Sequence, residues 1–460
     1  MIRQCSTARY DGARTTHAGG RMAVAPSSPA SATAAGVTAP RGALLIVFLT
    51  VFIDLLGFGI VLPVMPRQAE PYLDALGLSP LAGGIVIGLL FSSFSLMQFL
   101  VSPLWGRLSD RYGRRPMLLI SLAGSVVFYA VYACAVLVPP ERAALALGLM
   151  MLARVGAGIA GASVGTAAAV IADCTTPENR ARGMALIGIA FGAGFTLGPL
   201  IAYFGLAVFD RQPWGVGAIA SLLSLVAFML ALFVFRETRR PGSHTAKVRP
   251  DASRAAAVLR MPSVGVLVLI YFLSIVAFAN FEATLARLTE SAFGMSDDDN
   301  FLVFAFIGFM LLLAGGGYRP LAKRLSETQL LGGGVGLMIL GLAGLGVVAW
   351  MLCGRGALAT AVGGWVKPLF YAASAVAVAG FACVNPSVSA LISKRADPAR
   401  QGEVLGVNQS FASLGRIIGP FLGSILFAAH SSHTLPFGAA VAILAGVALL
   451  LPRLGAGPRP

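Results

Sequence analysis

"GRLSDRYGRRP", residues 106–116, packs five charges into a short stretch between two long apolar runs. The runs near 81–104 and 117–138 are each long enough to cross a hydrocarbon core of about 30 Å as helices. A connection this short is expected to be a tight turn that holds its charges at one membrane surface. Gly106 and Gly113 predict close backbone approach and unusual dihedrals. Pro116 suits the first turn of the next span. Arg114 and Arg115, with Arg111 beside them, are expected at the surface, where anionic lipid favours them. Asp110 is the odd member, because an acid weakens a basic anchor. It is expected to bind a facing arginine, or the positive N-terminal end of a helix starting on the same side, such as a span beginning near Glu403.

The rest of the chain repeats the pattern of that flank. The protein has 460 residues, 57% hydrophobic and 12% charged, with mean hydropathy +0.82. Soluble domains carry about a quarter charged residues. Twelve apolar segments lie near 43–65, 81–104, 117–138, 143–172, 184–205, 215–236, 264–288, 298–318, 328–352, 366–392, 403–427 and 435–452. The expected organisation is a cytoplasmic tail over 1–42, a six-helix half over 43–236, a cytoplasmic linker over 237–262, a second six-helix half over 263–452 and a short tail over 453–460. Counting Arg236 with the linker, five alternate loops hold 19 Lys and Arg against 6 in the others. The positive-inside bias then puts both termini in the cytoplasm, with the bacterial inner membrane as the expected location. Topology accounts for the net charge of +15, and no folded basic domain points to nucleic acid. The tail is rich in Ala, Ser, Thr, Gly and Arg; it reads as disordered, as a transit-like segment, or as an over-extended start with Met22 as the initiator. Five irregularly placed cysteines give neither a metal spacing nor a disulfide framework.

The two halves resemble each other. "TTPENRARGMALIGIAFGAGFTLGPLIA" (175–202) and "ADPARQGEVLGVNQSFASLGRIIGPFLG" (396–423) align at a constant offset of 221, which sets Gly198 over Gly419 and Pro199 over Pro420. Residues 108–119 align more weakly with 321–331, where Lys323 stands in place of the acid. An all-α membrane protein of twelve transmembrane helices in two pseudo-symmetric halves is a transporter architecture, with the substrate path between the halves.

Several motifs carry a family resemblance. "GRLSDRYGRRP" resembles the signature loop of the major facilitator superfamily. "RVGAGIAGA" (154–162) is similar to its fourth-helix arginine signature, and "GIAFGAGFTLGP" (188–199) to the fifth-helix signature of its antiporters. "IADCTTPENRARGMA" (171–185) and "FANFEATL" (278–285) are similar to the twelve-helix drug:proton antiporter branch, including tetracycline-efflux-like members. The resemblance spans about 43–452 and implies the major facilitator fold. Gly156 stands where many relatives carry Gln, and the second-half loop is degenerate.

Small residues and deep charges suggest the machinery. Gly188, Gly192, Gly194 and Gly198 recur at spacings of four, which lets another backbone come close, and Pro199 bends the helix. They are expected to form a seam with the other half, opposite Ala314, Gly315, Gly316 and Gly317. Asp54, Arg154, Glu282 and Arg416 lie deep in spans, where a charge costs about 2.5–3.5 kcal/mol on insertion scales. Asp54 and Glu282 are expected at equivalent places in the two halves, facing a central cavity. Either they exchange protons near Arg154, or Asp54 and Arg154 form a permanent pair that fixes packing. Arg416 could hold an anionic substrate or pair with Glu282. Gln98, Phe191, Asn280, Asn385, Asn408 and Gln409 are candidate cavity liners, or else bridges between helices. The leading expectation is a monomeric exporter of small, mostly apolar organic molecules in exchange for protons. The alternative is proton-coupled uptake or exchange of a metabolite or organic anion. A non-transporting receptor would need no deep titratable acids. An enzyme is not expected: no histidine lies in a span, and His430 and His433 sit three apart in a short loop. No glycine-rich loop ends in Lys-Ser or Lys-Thr, so a proton gradient rather than ATP is the expected energy source, and no cofactor or metal is expected.

Overall fold

The computed structural model describes residues 43–175, 177–238, 252–353, 364–396 and 401–455. The tail over 1–42, residues 239–251 of the linker and residues 456–460 lie outside the described residues, as do the side chains of Asp54 and Phe191 and the surroundings of Gly188. Among the described residues the chain is helical without strands, and twelve segments are long and apolar enough to cross a membrane. Helices dominate because lipid offers no partner to an unpaired backbone group.

The first half begins with α1 (Ala43–Val61) and a short amphipathic helix α2 (Met65–Ala75). Then come α3 (Pro80–Tyr112), α4 (Arg114–Val136), a fourth span broken into α5 (Ala143–Ala160) and α6 (Val164–Cys174), then α7 (Pro177–Gly205) and α8 (Gly215–Val234). Ser79 caps α3 by accepting from the Ala82 amide, and Pro80 takes the first helical position. The break between α5 and α6 is a 3₁₀ turn over Gly161–Ser163. Ser121 donates to the Ala160 carbonyl (2.7 Å) and Gln98 Nε2 to the Gly161 carbonyl (2.8 Å), so side chains satisfy groups that the irregular turn releases. The second half follows a short α9 (Ala252–Leu259) and holds α10 (Pro262–Phe293), α11 (Asp297–Leu321), α12 (Glu327–Cys353), α13 (Val366–Arg395), α14 (Gln401–Ala429) and α15 (Leu435–Leu450). A capping box between Ser296 and Asp299 starts α11.

The internal repeat is visible as packing. A Cβ on Gly194 or Gly198 of α7 would meet Leu55, Leu56 and Gly59 of α1. A Cβ on Gly415 or Gly419 of α14 would meet Ile275, Val276 and Ala279 of α10 in the same way. Two sequence expectations change here. Gly194 and Gly198 form a seam inside their own half, not with α11. A shift of 220 carries Leu56 onto Val276 and Gly59 onto Ala279, so Asp54 corresponds to Ser274 rather than Glu282. Glu282 lies two turns further along its helix.

The halves meet along α3 with α14 and α7 with α11. Ser92 donates to the Ile417 carbonyl at 2.6 Å, and Gly88 lies against Phe421. Gly308 of α11 lies against Phe195 and Thr196 of α7. Ion pairs cross between the halves at the end opposite the 106–116 turn. Arg67 binds Glu290 (3.0 Å) and Asp297 (2.9 Å), Arg287 binds Glu70 (3.1 Å), and Arg211 binds Asp298. Asn300 also donates across the halves to the Pro63 carbonyl. Toward the basic end the same faces separate. On α14, Ser410 shares the face of Ile417 and Phe421 yet is exposed, as is Pro103 on the matching face of α3. On α11, Leu312 still touches Gly192 but is half exposed, and Gly315, Gly316 and Gly317 face open space rather than the expected seam. The conformation is sealed at the far end and open at the basic end.

Candidate functional site

The 106–116 stretch is less of a turn than its sequence suggests. The helix α3 runs on to Tyr112, and α4 starts at Arg114. Gly113 alone makes the corner, with φ +110°, a region that glycine adopts without strain. Gly106 sits inside α3 with nothing near it, so close approach there is not realised. Arg114 is not a lipid anchor either: it is 7% exposed. Its Nη1 donates to Asp110 (2.6 Å) and Ser109 (2.8 Å), and its Nε to Asp173 at the end of α6 (3.1 Å). Asp110 thus finds its arginine four residues away. The Glu237 carboxylate, just past α8, accepts the amides of Arg114 (2.9 Å) and Arg115 (3.0 Å), which places a negative charge at the N-terminal end of α4. Arg115 Nη2 donates to the Leu232 carbonyl, and Arg111 lies over the Tyr112 ring. Together these contacts tie α3, α4, α6 and α8 into one rigid corner.

Deeper in the first half, Arg154 on α5 is 2% exposed. Its Nε donates to the Leu90 carbonyl (3.0 Å), and its guanidinium stands 4.8 Å from the Phe94 ring centre. A Cβ at Gly156 would run into the Phe128 ring, so glycine here admits an aromatic side chain. Asp54 lies midway along α1, with its side chain outside the described residues, as is that of Phe191 on α7. Gln98 bridges α3 to the broken fourth span as noted.

The second half holds Glu282 on α10 and Arg416 on α14. Glu282 is partly buried, and its Oε1 is buried with no hydrogen-bond partner among the described residues. Arg416 is the cation within electrostatic range of it, but no direct ion pair joins them among the described residues. Arg416 Nη2 reaches Ser413 Oγ at 3.4 Å. Asn280 does not line a cavity. It is fully buried and donates to the Pro436 carbonyl at 3.0 Å, pinning α10 to the start of α15. Asn408 is 4% exposed, whereas Gln409 beside it and Asn385 on α13 are exposed. Asn385 accepts from Ser389 at 3.4 Å.

Several participants escape the sequence reading. Asp173 and Glu237, the acids that hold Arg114 and its amide, lie outside the signature stretch. The far-end pairs involve Arg67, Glu70, Arg211, Arg287, Glu290, Asp297 and Asp298. The acidic run at 297–299 is their visible signal, opposite loops that carry single arginines. Burial pushes the Glu70 carboxyl above its usual range, against the lowering pull of Arg287. His433 stacks on Phe427 with centroids 4.0 Å apart, and its Nδ1 bonds the Phe427 carbonyl. Burial lowers its pKa. His430 Nδ1 bonds Ser432, so the two histidines hold loop structure. No metal-binding cluster of three or more side chains occurs among the described residues.

The model of the Major Facilitator Superfamily matches residues 47–362 and 345–460. The chain belongs to the major facilitator superfamily. It is a membrane transporter. Among curated relatives, mouse Major facilitator superfamily domain-containing protein 10 is 30% identical over 434 residues, covering 84% of this chain and 87% of the relative. Tetracycline resistance protein, class C, of Escherichia coli is 30% identical over 401 residues, covering 85% and 91%. Among solved structures, the human organic anion transporter MFSD10 (TETRAN) superposes with TM-score 0.59 at 25% identity, covering 90% of this chain and 99% of that one. A D-xylose-proton symporter superposes with TM-score 0.70 at 20% identity, covering 89% and 96%, a likeness of fold.

Proposed function

We propose that this transporter exports small, mostly apolar organic molecules in exchange for protons by alternating access. The observation that carries the reading is the pairing of a far-end seal with ionisable groups just beneath it. A buried carboxylate oxygen with no hydrogen-bond partner among the described residues, such as Glu282 Oε1, is costly when charged, so its charge state is coupled to which end is open. Asp54, midway along α1 in the half that holds Arg154, is the leading proton carrier. The 19-to-6 excess of Lys and Arg supports a cytoplasmic basic end, so this conformation reads as inward-facing with both termini inside. The relatives named for tetracycline resistance support export, and the gradient would serve as the energy source. The protein is read as a monomer in a bacterial inner membrane.

The test is proton movement in proteoliposomes on addition of tetracycline and a panel of drug-like and metabolite compounds. Wild type should release or take up protons only when a substrate is present. Asp54→Asn should lose gradient-driven flux yet keep counterflow, because exchange needs binding without a proton. Full gradient-driven flux by the Asn variant would remove Asp54 from the coupling role. Absence of substrate-dependent proton movement across the panel would contradict proton exchange.

A further inference from the structure

We propose that Arg416 docks the acidic group of an amphiphilic organic anion, with the substrate's apolar body lying along α10. This rests on the transport reading above and narrows its substrate class.

The argument starts from the faces of α14. Gly415, Gly419 and Gly423 pack on α10, where added Cβ atoms would meet Ile275, Val276, Ala279 and Asn280. Ile417, Phe421 and Ser424 face α3 through the Ser92 hydrogen bond and the contacts of Gly88 and Gly84. Ile418, 39% exposed, lies on neither packed face. At about 100° per residue, Gln409, Ser413 and Arg416 fall in the one remaining sector, between the two packed faces and across the helix from Ile418. Gln409 is exposed, and Ser413 and Arg416 are partly buried. This polar stripe lines the opening between the halves. Arg416 stands at its inner end, one residue before the carbonyl that Ser92 holds in the seal.

The bonding of Arg416 differs from that of Arg114, Arg154 and Arg287. Arg114 is held by two acids and a serine, and Arg154 by the Leu90 carbonyl and the Phe94 ring. Arg287 is held by Glu70 and by the Phe427 ring. Among the described residues Arg416 makes a single long hydrogen bond, to Ser413 at 3.4 Å. A guanidinium has five donors in a planar fork that fits a carboxylate or sulfonate with two parallel hydrogen bonds. Most of that fork is left to a ligand. Phe278 lies one turn before Glu282 on the same face of α10 and stacks on Phe381 at 3.8 Å, parallel within 4°. Both residues are partly exposed and offer an apolar platform on the face of α10 that carries Glu282.

The experiment compares binding of radiolabelled 2-naphthoate and its neutral isostere 2-naphthamide to purified protein in phosphatidylcholine nanodiscs. Wild type should prefer the carboxylate by about tenfold or more, the scale of one charge-assisted hydrogen-bond pair. Arg416→Gln should lose that preference while still binding the amide, and Arg416→Lys should keep part of it. Equal binding of the two probes by wild type, or an undiminished preference in Arg416→Gln, would overturn the proposal. The flux assay reports on the other reading. Arg416-dependent naphthoate binding without any flux would retain the docking site and reject transport by this route. Substrate-driven flux with an indifferent Arg416 would do the reverse.

Discussion

Arg114 concentrates three acceptors around one buried guanidinium, but they differ in value. Asp110 is half exposed (50%), while Asp173 is 25% exposed, so water screens the first pair more. We therefore expect Asp110→Asn to cost under about 1 kcal/mol of stability and Asp173→Asn about 1–3 kcal/mol, because it removes the less exposed countercharge of a buried cation. Thermal unfolding of the purified variants in detergent measures the order, and equal losses would refute it. The signature stretch was readable because its charges are unusual in composition. Its partners were not, because Asp173 and Glu237 reach it only through the folding of α6 and α8. The same limit explains Glu282. It looked equivalent to Asp54 because each is a deep acid in the first span of its half, but the glycine contacts that fix the register put Ser274 there. Asn280 reads in sequence like any polar residue in a span, and only packing reveals that its amide is spent on Pro436.

At the scale of helices, small residues were legible and their partners were not. Spacing of four says that a face is smooth, but not which neighbour uses it. Gly198 lies on α1, where a Cβ would stand 3.0 Å from the Leu56 carbonyl. Gly308 lies on α7 across the halves, where a Cβ would stand 2.6 Å from the Thr196 Cα. Both would be overpacked by leucine, at about 1–3 kcal/mol, with different consequences. Gly198→Leu should lower the melting temperature without changing access to the far end. Gly308→Leu should push the halves apart at the seal and raise thiol labelling of a far-end cysteine. Labelling unchanged in Gly308→Leu, or raised equally in Gly198→Leu, would mean that the two glycines do not divide the work this way. The twelve spans and the duplicated halves were legible because hydropathy and the 221-residue offset are long-range regularities. The 3₁₀ break at Gly161–Ser163 was not, since its stability depends on Ser121 and Gln98 from other helices.

For the whole molecule, the far-end ion pairs make the seal responsive to pH. Burial raises the Glu70 carboxyl above its ordinary value of 4.5, and opening the seal would return it to water. The sealed state therefore binds the proton more tightly. Acidification through the window that starts above the raised value and ends near 4.5 should favour sealing, and raising the pH through it should weaken that contribution. Far-end thiol labelling should fall with acidification more in wild type than in Glu70→Gln, which lacks the group; identical pH profiles would exclude Glu70 as the cause.

The claim that the halves exchange access is tested most directly by holding the seal shut. In a background without native cysteines, Arg211→Cys with Asp298→Cys places one thiol on each half at the site of a far-end ion pair. A short bifunctional methanethiosulfonate should then bridge them, with substrate-driven flux in proteoliposomes as the readout. Flux should be lost on bridging, return with dithiothreitol, and persist in either single variant treated the same way. Undiminished flux with the bridge in place would contradict alternating access through this seal.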